Sequence, residues 1–231
     1  ALTTLGLLWR FKKLPEPLVI LAAAIVTKHA MPVLAAQDGG ALVHVSSRVA
    51  AEKGENGFAY IHRTDRRGFK AGALNHALKL TPKDVEVISV IDADYHVEPE
   101  YLRETVGYFI DPGLGFLQTP QDYRNVHQSF LTRQYYCADG YFYRAIMPSR
   151  NEANAISFCG TMGMLRREAL ERVGGWAEEH VTEDAELSVR LLSGGWRSLY
   201  IPKTFGKGLI PPTYDAYKKQ HHRWAFGGVK V

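Results

Sequence analysis

Short apolar runs alternate with amphipathic stretches along most of the chain. The clearest run is Val85, Val87, Ile88, Val90 and Ile91, which predicts a strand buried on both faces of a parallel sheet. Gly115–Thr119 and Ser198–Ile201 read as further strands, and Phe158–Leu165 is strand-like. Helices are predicted over an alanine-rich stretch ending at Leu78, over Glu98–Ile110, over the aromatic-rich Phe130–Ala145, over Arg166–Val173 up to Gly174-Gly175, over Val181–Leu192 and over Tyr214–Phe226. Upstream, a polar helical stretch from Arg48 leads through a turn at Gly54–Gly57 to a short strand at Ala59–His62. Leu18–Val26 fits a buried strand, a core helix or an interfacial segment, and Asp38-Gly39-Gly40 is a turn signal. Strands and helices in this alternation predict an α/β fold, with a mostly parallel sheet covered by helices on both faces.

Composition narrows the partners. The 231 residues are 46% hydrophobic and 23% charged, enough for one large core. A formal charge of +4 suits an anionic ligand or a membrane surface and is too small to argue for nucleic acid. Cys137 and Cys159 stand far apart, so neither a disulfide framework nor a zinc knuckle is indicated, and a reducing compartment fits. Ala1–Trp9 is apolar and is followed by Arg10, Lys12 and Lys13, which reads as the end of a membrane helix meeting a positive flank, or as an ordinary buried helix. The sequence is thus expected to be a segment of a longer protein, with residues 1–16 flanking one domain over 17–231, of which 17–58 is atypical.

Four clusters carry candidate chemistry. Asp92 and Asp94 follow the first strand and sit two apart, so their carboxylates can converge on a hard divalent cation shared with a phosphate; a solvated acidic turn is the alternative. Before them, Arg63, Arg66, Arg67 and Lys70 surround a helix start, as an anion-binding corner or as a solvated loop. Glu183 and Asp184 lie in the first turn of a helix, where they favour the macrodipole whether or not they react. As a general base, Asp184 would have its proton affinity raised by Glu183 and Glu186 and lowered by the helix terminus. Gln220, Arg223 and Trp224 share a helical face suited to a diphosphate and a sugar ring, while His221 and His222 face elsewhere.

Together these motifs resemble the glycosyltransferase family 2 enzymes, most closely the cellulose-synthase-like, processive branch. The likeness runs from about His62 to Trp224, with the motifs in the family's order. It implies a GT-A-like (Rossmann-like) domain that inverts configuration while moving a sugar, expected from UDP-glucose, to a growing β-glycan. It also implies Lys70, Asp92 and Arg223 on the donor, Mg2+ or Mn2+ on Asp92 and Asp94, and Asp184 as the base. Phe158, Cys159, Gly160, Thr161, Gln220 and Trp224 would hold the polysaccharide acceptor. Membrane anchoring through flanking helices at the plasma (inner) membrane, with the domain on the cytoplasmic side, follows from the same resemblance. The departure lies near the N-terminus, where only Asp38 stands in place of the paired Asp residues that hold the nucleobase. A non-processive transferase, a nucleotidyltransferase and an inactive remnant remain open.

Overall fold

The computed structural model describes Asp65 and residues 67–231. The expectations placed on Ala1–Trp9, Leu18–Val26, Asp38-Gly39-Gly40 and Ala59–His62, and on Arg63 and Arg66, lie outside the described residues.

Helix α1 (Phe69–Leu80) starts where Gly68 takes a left-handed φ of 67°. It ends at Thr81, whose extended backbone breaks the helix and whose hydroxyl donates back to the Ala77 carbonyl at 2.8 Å. Strand β1 (Val87–Val90) follows and joins a four-stranded sheet with β3 (Leu114–Gln118), β5 (Gly163–Arg166) and β6 (Arg197–Tyr200), in the order β1-β5-β3-β6. β3 and β6 are parallel, whereas β5 runs antiparallel to both β1 and β3. The α/β architecture stands, with a described sheet that is mixed in direction. The reversal has a functional result. Val90 and Gln118 both pair with Gly163, so the ends of β1 and β3 meet the beginning of β5 at one edge.

Neighbouring side chains on these strands point to opposite faces. Phe116 and Leu165 join a core with Met147, Ile156, Phe158, Trp176 and Leu187. Leu117 and Met164 join a second core with Tyr101, Phe109, Met162 and Phe205. The first is covered by α1, α5 (Arg167–Arg172) and α6 (Glu183–Ser193), and the second by α2 (Glu100–Thr105), which continues as a 3-10 turn over Val106–Ile110. A small second sheet, β2-β7-β4, is built from β2 (His96–Val97), β4 (Asp122–Tyr123) and β7 (Gly206–Gly208).

The aromatic helix is longer than its pattern predicts. α3 (Phe130–Tyr141) opens with a capping box between Ser129 and Thr132, passes into a π-helical turn at Phe142–Ile146 and continues as α4 (Met147–Glu152). Pro148 has no N–H to give the preceding turn, and the carbonyl of Tyr143 instead accepts from the Tyr200 hydroxyl at 2.7 Å. The strand expected from Phe158 starts only at Gly163, because Gly160 and Met162 have φ of 72° and 53° and break the extended path. The last helix, α7 (Tyr214–Lys230), is capped by the Thr213 side chain, which accepts from the Ala216 N–H.

Candidate active site

At the edge where β1 and β3 end and β5 begins, the loop 158–162 is held from three sides. The fully buried Gln118 donates through Nε2 to the carbonyls of Thr119 and Thr161, both at 2.8 Å, and accepts at Oε1 from the Cys159 N–H at 2.8 Å. Gln121 donates to the Cys159 carbonyl at 2.9 Å. The Asp92 N–H donates to Thr161 Oγ1 at 2.9 Å, which fixes the first carboxylate of the Asp-Ala-Asp turn against this loop.

Two helices bring charged groups to it. Lys70, in the first turn of α1, donates to Asp92 Oδ1 at 2.6 Å and to the Gly160 carbonyl at 2.8 Å. Asp184, in the first turn of α6, closes on the same glycine. A Cβ at position 160 would lie 2.8 Å from Asp184 Oδ2 and 3.4 Å from Lys70 Nζ, so only a glycine lets both charged groups come this close to the backbone. The base of α6 is tied to the loop as well. Ser188 Oγ donates to the Asp184 carbonyl at 2.8 Å and accepts from the Phe158 N–H at 2.7 Å. Asn75, at the end of the Gly-Phe-Lys-Ala-Gly-Ala-Leu-Asn segment, donates to the Trp176 carbonyl at 2.8 Å and fastens α1 to the turn before α6.

The electrostatics follow from this crowding. Burial works against the charge on Lys70, but Asp92, Glu183 and Asp184 outweigh it and hold its pKa above the ordinary lysine value. Burial raises the Asp184 pKa; the Ala185 N–H and Lys70 oppose the rise, and Asp92 adds to it. Burial and the neighbouring Asp184 push Glu183 up to about 7. Glu186, expected to act on Asp184 as well, is instead taken up by Arg190 at 2.5 Å. A carboxyl whose folded pKa is raised contributes stability that is fully present below its unfolded pKa and lost as pH rises through the folded one. Glu183→Gln should therefore stabilise the protein above about pH 7, by on the order of 2 kcal/mol, with the gain gone near pH 4.5. Urea unfolding midpoints across that range measure it.

Asp94 accepts from the Leu209 N–H at 2.9 Å, and burial, reinforced by Asp92, raises its pKa. Among the described residues no group of three or more His, Cys, Asp or Glu side chains is placed to hold a metal ion. Two carboxylates, however, fit a hard divalent cation that takes its other ligands from phosphate and water.

The other expected site residues divide. Phe158 is 1% exposed and packs edge-on against Phe116 in the core, so it anchors the loop and does not face an acceptor. Thr161, also 1% exposed, is spent on Asp92. Cys159 is half-buried, and desolvation pushes its thiol up to about 12, which makes it inert. On α7, Gln220 is half-buried and Trp224 partly exposed, whereas Arg223 is exposed and joins no ion pair among the described residues. His221, expected to face away, points inward. Its ring lies 3.9 Å from that of Tyr217 and 4.8 Å from that of Trp224, and its Nε2 is buried. Asp38 lies outside the described residues. Sequence reasoning missed Ser188 as part of the site's frame, and it had Gln118 and Asn75 only within stretches that resemble family motifs, without their framing roles. Gln118 carried a signal, as a lone amide in an otherwise apolar strand end.

The family described as glycosyl transferase family group 2 matches residues 87–230. Among curated proteins, the probable glucomannan 4-beta-mannosyltransferase 7 of Oryza sativa subsp. japonica is 34% identical over 82% of this chain and 33% of its own. The glucomannan 4-beta-mannosyltransferase 1 of Cyamopsis tetragonoloba is 32% identical over 82% of this chain and 36% of its own. The chain thus spans about a third of the length of these relatives. Among solved structures, a mannosyltransferase from Pyrobaculum calidifontis in complex with GDP-Man and Mn2+ superposes with a TM-score of 0.59 at 22% identity, over 87% of this chain and 50% of that one, and supports the GT-A-like fold.

Proposed function

The chain belongs to glycosyl transferase family group 2, and from that premise we propose that the cluster of Lys70, Asp92 and Asp184 transfers a hexose from a nucleoside diphosphate donor to a hydroxyl of a β-glycan. The observation that carries this reading is that a carboxylate of raised basicity and an ammonium both close on Gly160, with the donor-side carboxylate Asp92 paired to that ammonium.

The chemistry is a single displacement. Asp184 accepts the proton of the acceptor hydroxyl as that oxygen forms a bond to the anomeric carbon. The bond from that carbon to the phosphate oxygen breaks on the opposite side, so an α-linked donor gives a β-linked product. Lys70 exchanges its hold on Asp92 for the diphosphate and offsets the negative charge that builds there. Mg2+ or Mn2+, held by Asp92 and Asp94, would supply further charge neutralisation at the leaving diphosphate. On the acceptor side, a cavity of about 210 Å³ adjoins the loop at Gln121, and Tyr136, Asp139, Tyr143 and Arg144 line it with the stacking and hydrogen-bonding groups that sugars use.

The relatives' names favour a mannose donor over the UDP-glucose expected from the resemblance, and GDP-mannose is the donor held by the Pyrobaculum calidifontis mannosyltransferase. A plasma-membrane location, with this domain over 17–231 on the cytoplasmic side, is supported by the apolar Ala1–Trp9 and its basic flank. No helix among the described residues is long and apolar enough to cross a membrane.

Membranes carrying the full-length protein should release GDP from GDP-mannose in the presence of Mn2+ or Mg2+ and lengthen a β-mannan or glucomannan acceptor, with a smaller rate on UDP-glucose. Release of UDP alone would reassign the donor. No nucleoside diphosphate from either would remove the transferase reading.

A further inference from the structure

One close approach lies outside the chemistry described so far. Gly227 is the buried residue of α7, and it lies against Thr182, the N-cap residue of α6. A Cβ at position 227 would stand 2.5 Å from Thr182 Oγ1 and 2.9 Å from its Cβ, and closer still to its methyl group. Glycine inside a helix costs about 1 kcal/mol relative to alanine, so α7 gives up stability at two adjacent positions. Space accounts for one of them only. Nothing lies within 4 Å of where a Cβ at Gly228 would be.

The Thr182 carbonyl accepts from the Glu186 N–H at 3.1 Å, so its backbone is tied into α6. Its side chain makes no capping bond, and its hydroxyl is buried without a hydrogen-bond partner among the described residues. Asp184 follows two residues later, while Trp224 stands three residues before Gly227 on α7, so the contact joins the helix start that carries the base to the helix that carries the sugar-binding candidate.

We propose that Gly227 is a positioning residue: its bare backbone seats Thr182 against α7 and thereby sets the reach of Asp184 to an acceptor hydroxyl. The inference rests on the reading of Asp184 as the base. Displacement of a reacting group by about 1 Å costs on the order of a hundredfold in rate, so the contact acts on kcat and leaves donor binding alone.

The test uses membranes carrying the full-length protein and measures kcat and the donor KM for sugar transfer. Gly227→Ala should lower kcat by roughly tenfold to a hundredfold with the donor KM within about twofold, and Gly228→Ala should leave both unchanged. Thr182→Gly, which empties the seat, should also lower kcat, and the pair Gly227→Ala with Thr182→Gly should exceed either single variant. Gly227→Ala as active as Gly228→Ala would overturn the inference. So would a double variant no faster than Thr182→Gly, a comparison that stands even where Gly227→Ala alone does not accumulate. A wild-type protein that transfers no sugar would instead sink the transferase reading.

Discussion

Asp184→Asn should lower sugar transfer by a thousandfold or more while leaving nucleotide affinity within a few-fold of the wild type. Asparagine keeps the shape and still offers an oxygen to the Ala185 N–H, which donates to Asp184 Oδ1 at 2.8 Å. The amide cannot take a proton, so only the chemical step suffers. In the proposed reaction nucleotide binding falls to Lys70, which donates to Asp92 and to the Gly160 carbonyl, and to the Asp-Ala-Asp turn. Calorimetry with the nucleoside diphosphate, beside product formation from labelled donor, separates the two effects. Transfer at the native rate would refute the assignment of the base. The pH dependence carries the same information. Because burial raises the Asp184 pKa, the acid limb of kcat/KM should fall at a pH above the ordinary aspartate range.

The second large effect is expected at Lys70. Lys70→Met keeps most of the side chain's length and removes the ammonium, leaving Asp92, Glu183 and Asp184 without the cation that offsets them. Its side chain is 34% exposed and that of Asp92 is 41% exposed, so solvent screens the pair and the loss in stability should be no more than about 1 kcal/mol. Turnover is another matter. With a diphosphate in place the lost charge acts where negative charge develops, and kcat/KM should fall by about a hundredfold to a thousandfold, with the donor KM rising. Steady-state kinetics across donor concentrations give both numbers. A variant whose kcat/KM stays within about threefold of wild type would show that the diphosphate is held elsewhere.

Much of the frame was legible in the sequence because its signals are local. The apolar run ending in Asp92, the alanine-rich helix carrying Lys70 and the acidic first turn carrying Asp184 each announce themselves within a dozen residues. Their convergence was not legible. It depends on the antiparallel course of β5, which brings Gly160 up to both Lys70 and Asp184, and the pattern Phe158–Leu165 read as continuous strand because its apolar residues give no sign of the left-handed backbone at Gly160 and Met162. Strands β2, β4 and β7 are two or three residues long and show no alternation to detect. The role of Phe158 went astray because an aromatic ring serves a sugar site or a core equally well, and only burial separates the two uses. The direction of His221 went astray because it is set by its ring contacts with Tyr217 and Trp224, which the helical spacing alone does not show.

The π turn at Phe142–Ile146 bears on the same difficulty. A turn closed one residue late rotates everything after it by about 100° relative to a regular helix. Before the turn, Tyr135 stacks on Tyr217 of α7 with ring centres 3.6 Å apart; within it Tyr143, and after it Met147, sink into the core under the main sheet. The rod from Phe130 to Glu152 is therefore two registers on one axle, the leading one answering to α7 and the trailing one to the sheet. Any single helical wheel drawn through it superimposes two phases and scatters its aromatic residues around the whole circumference.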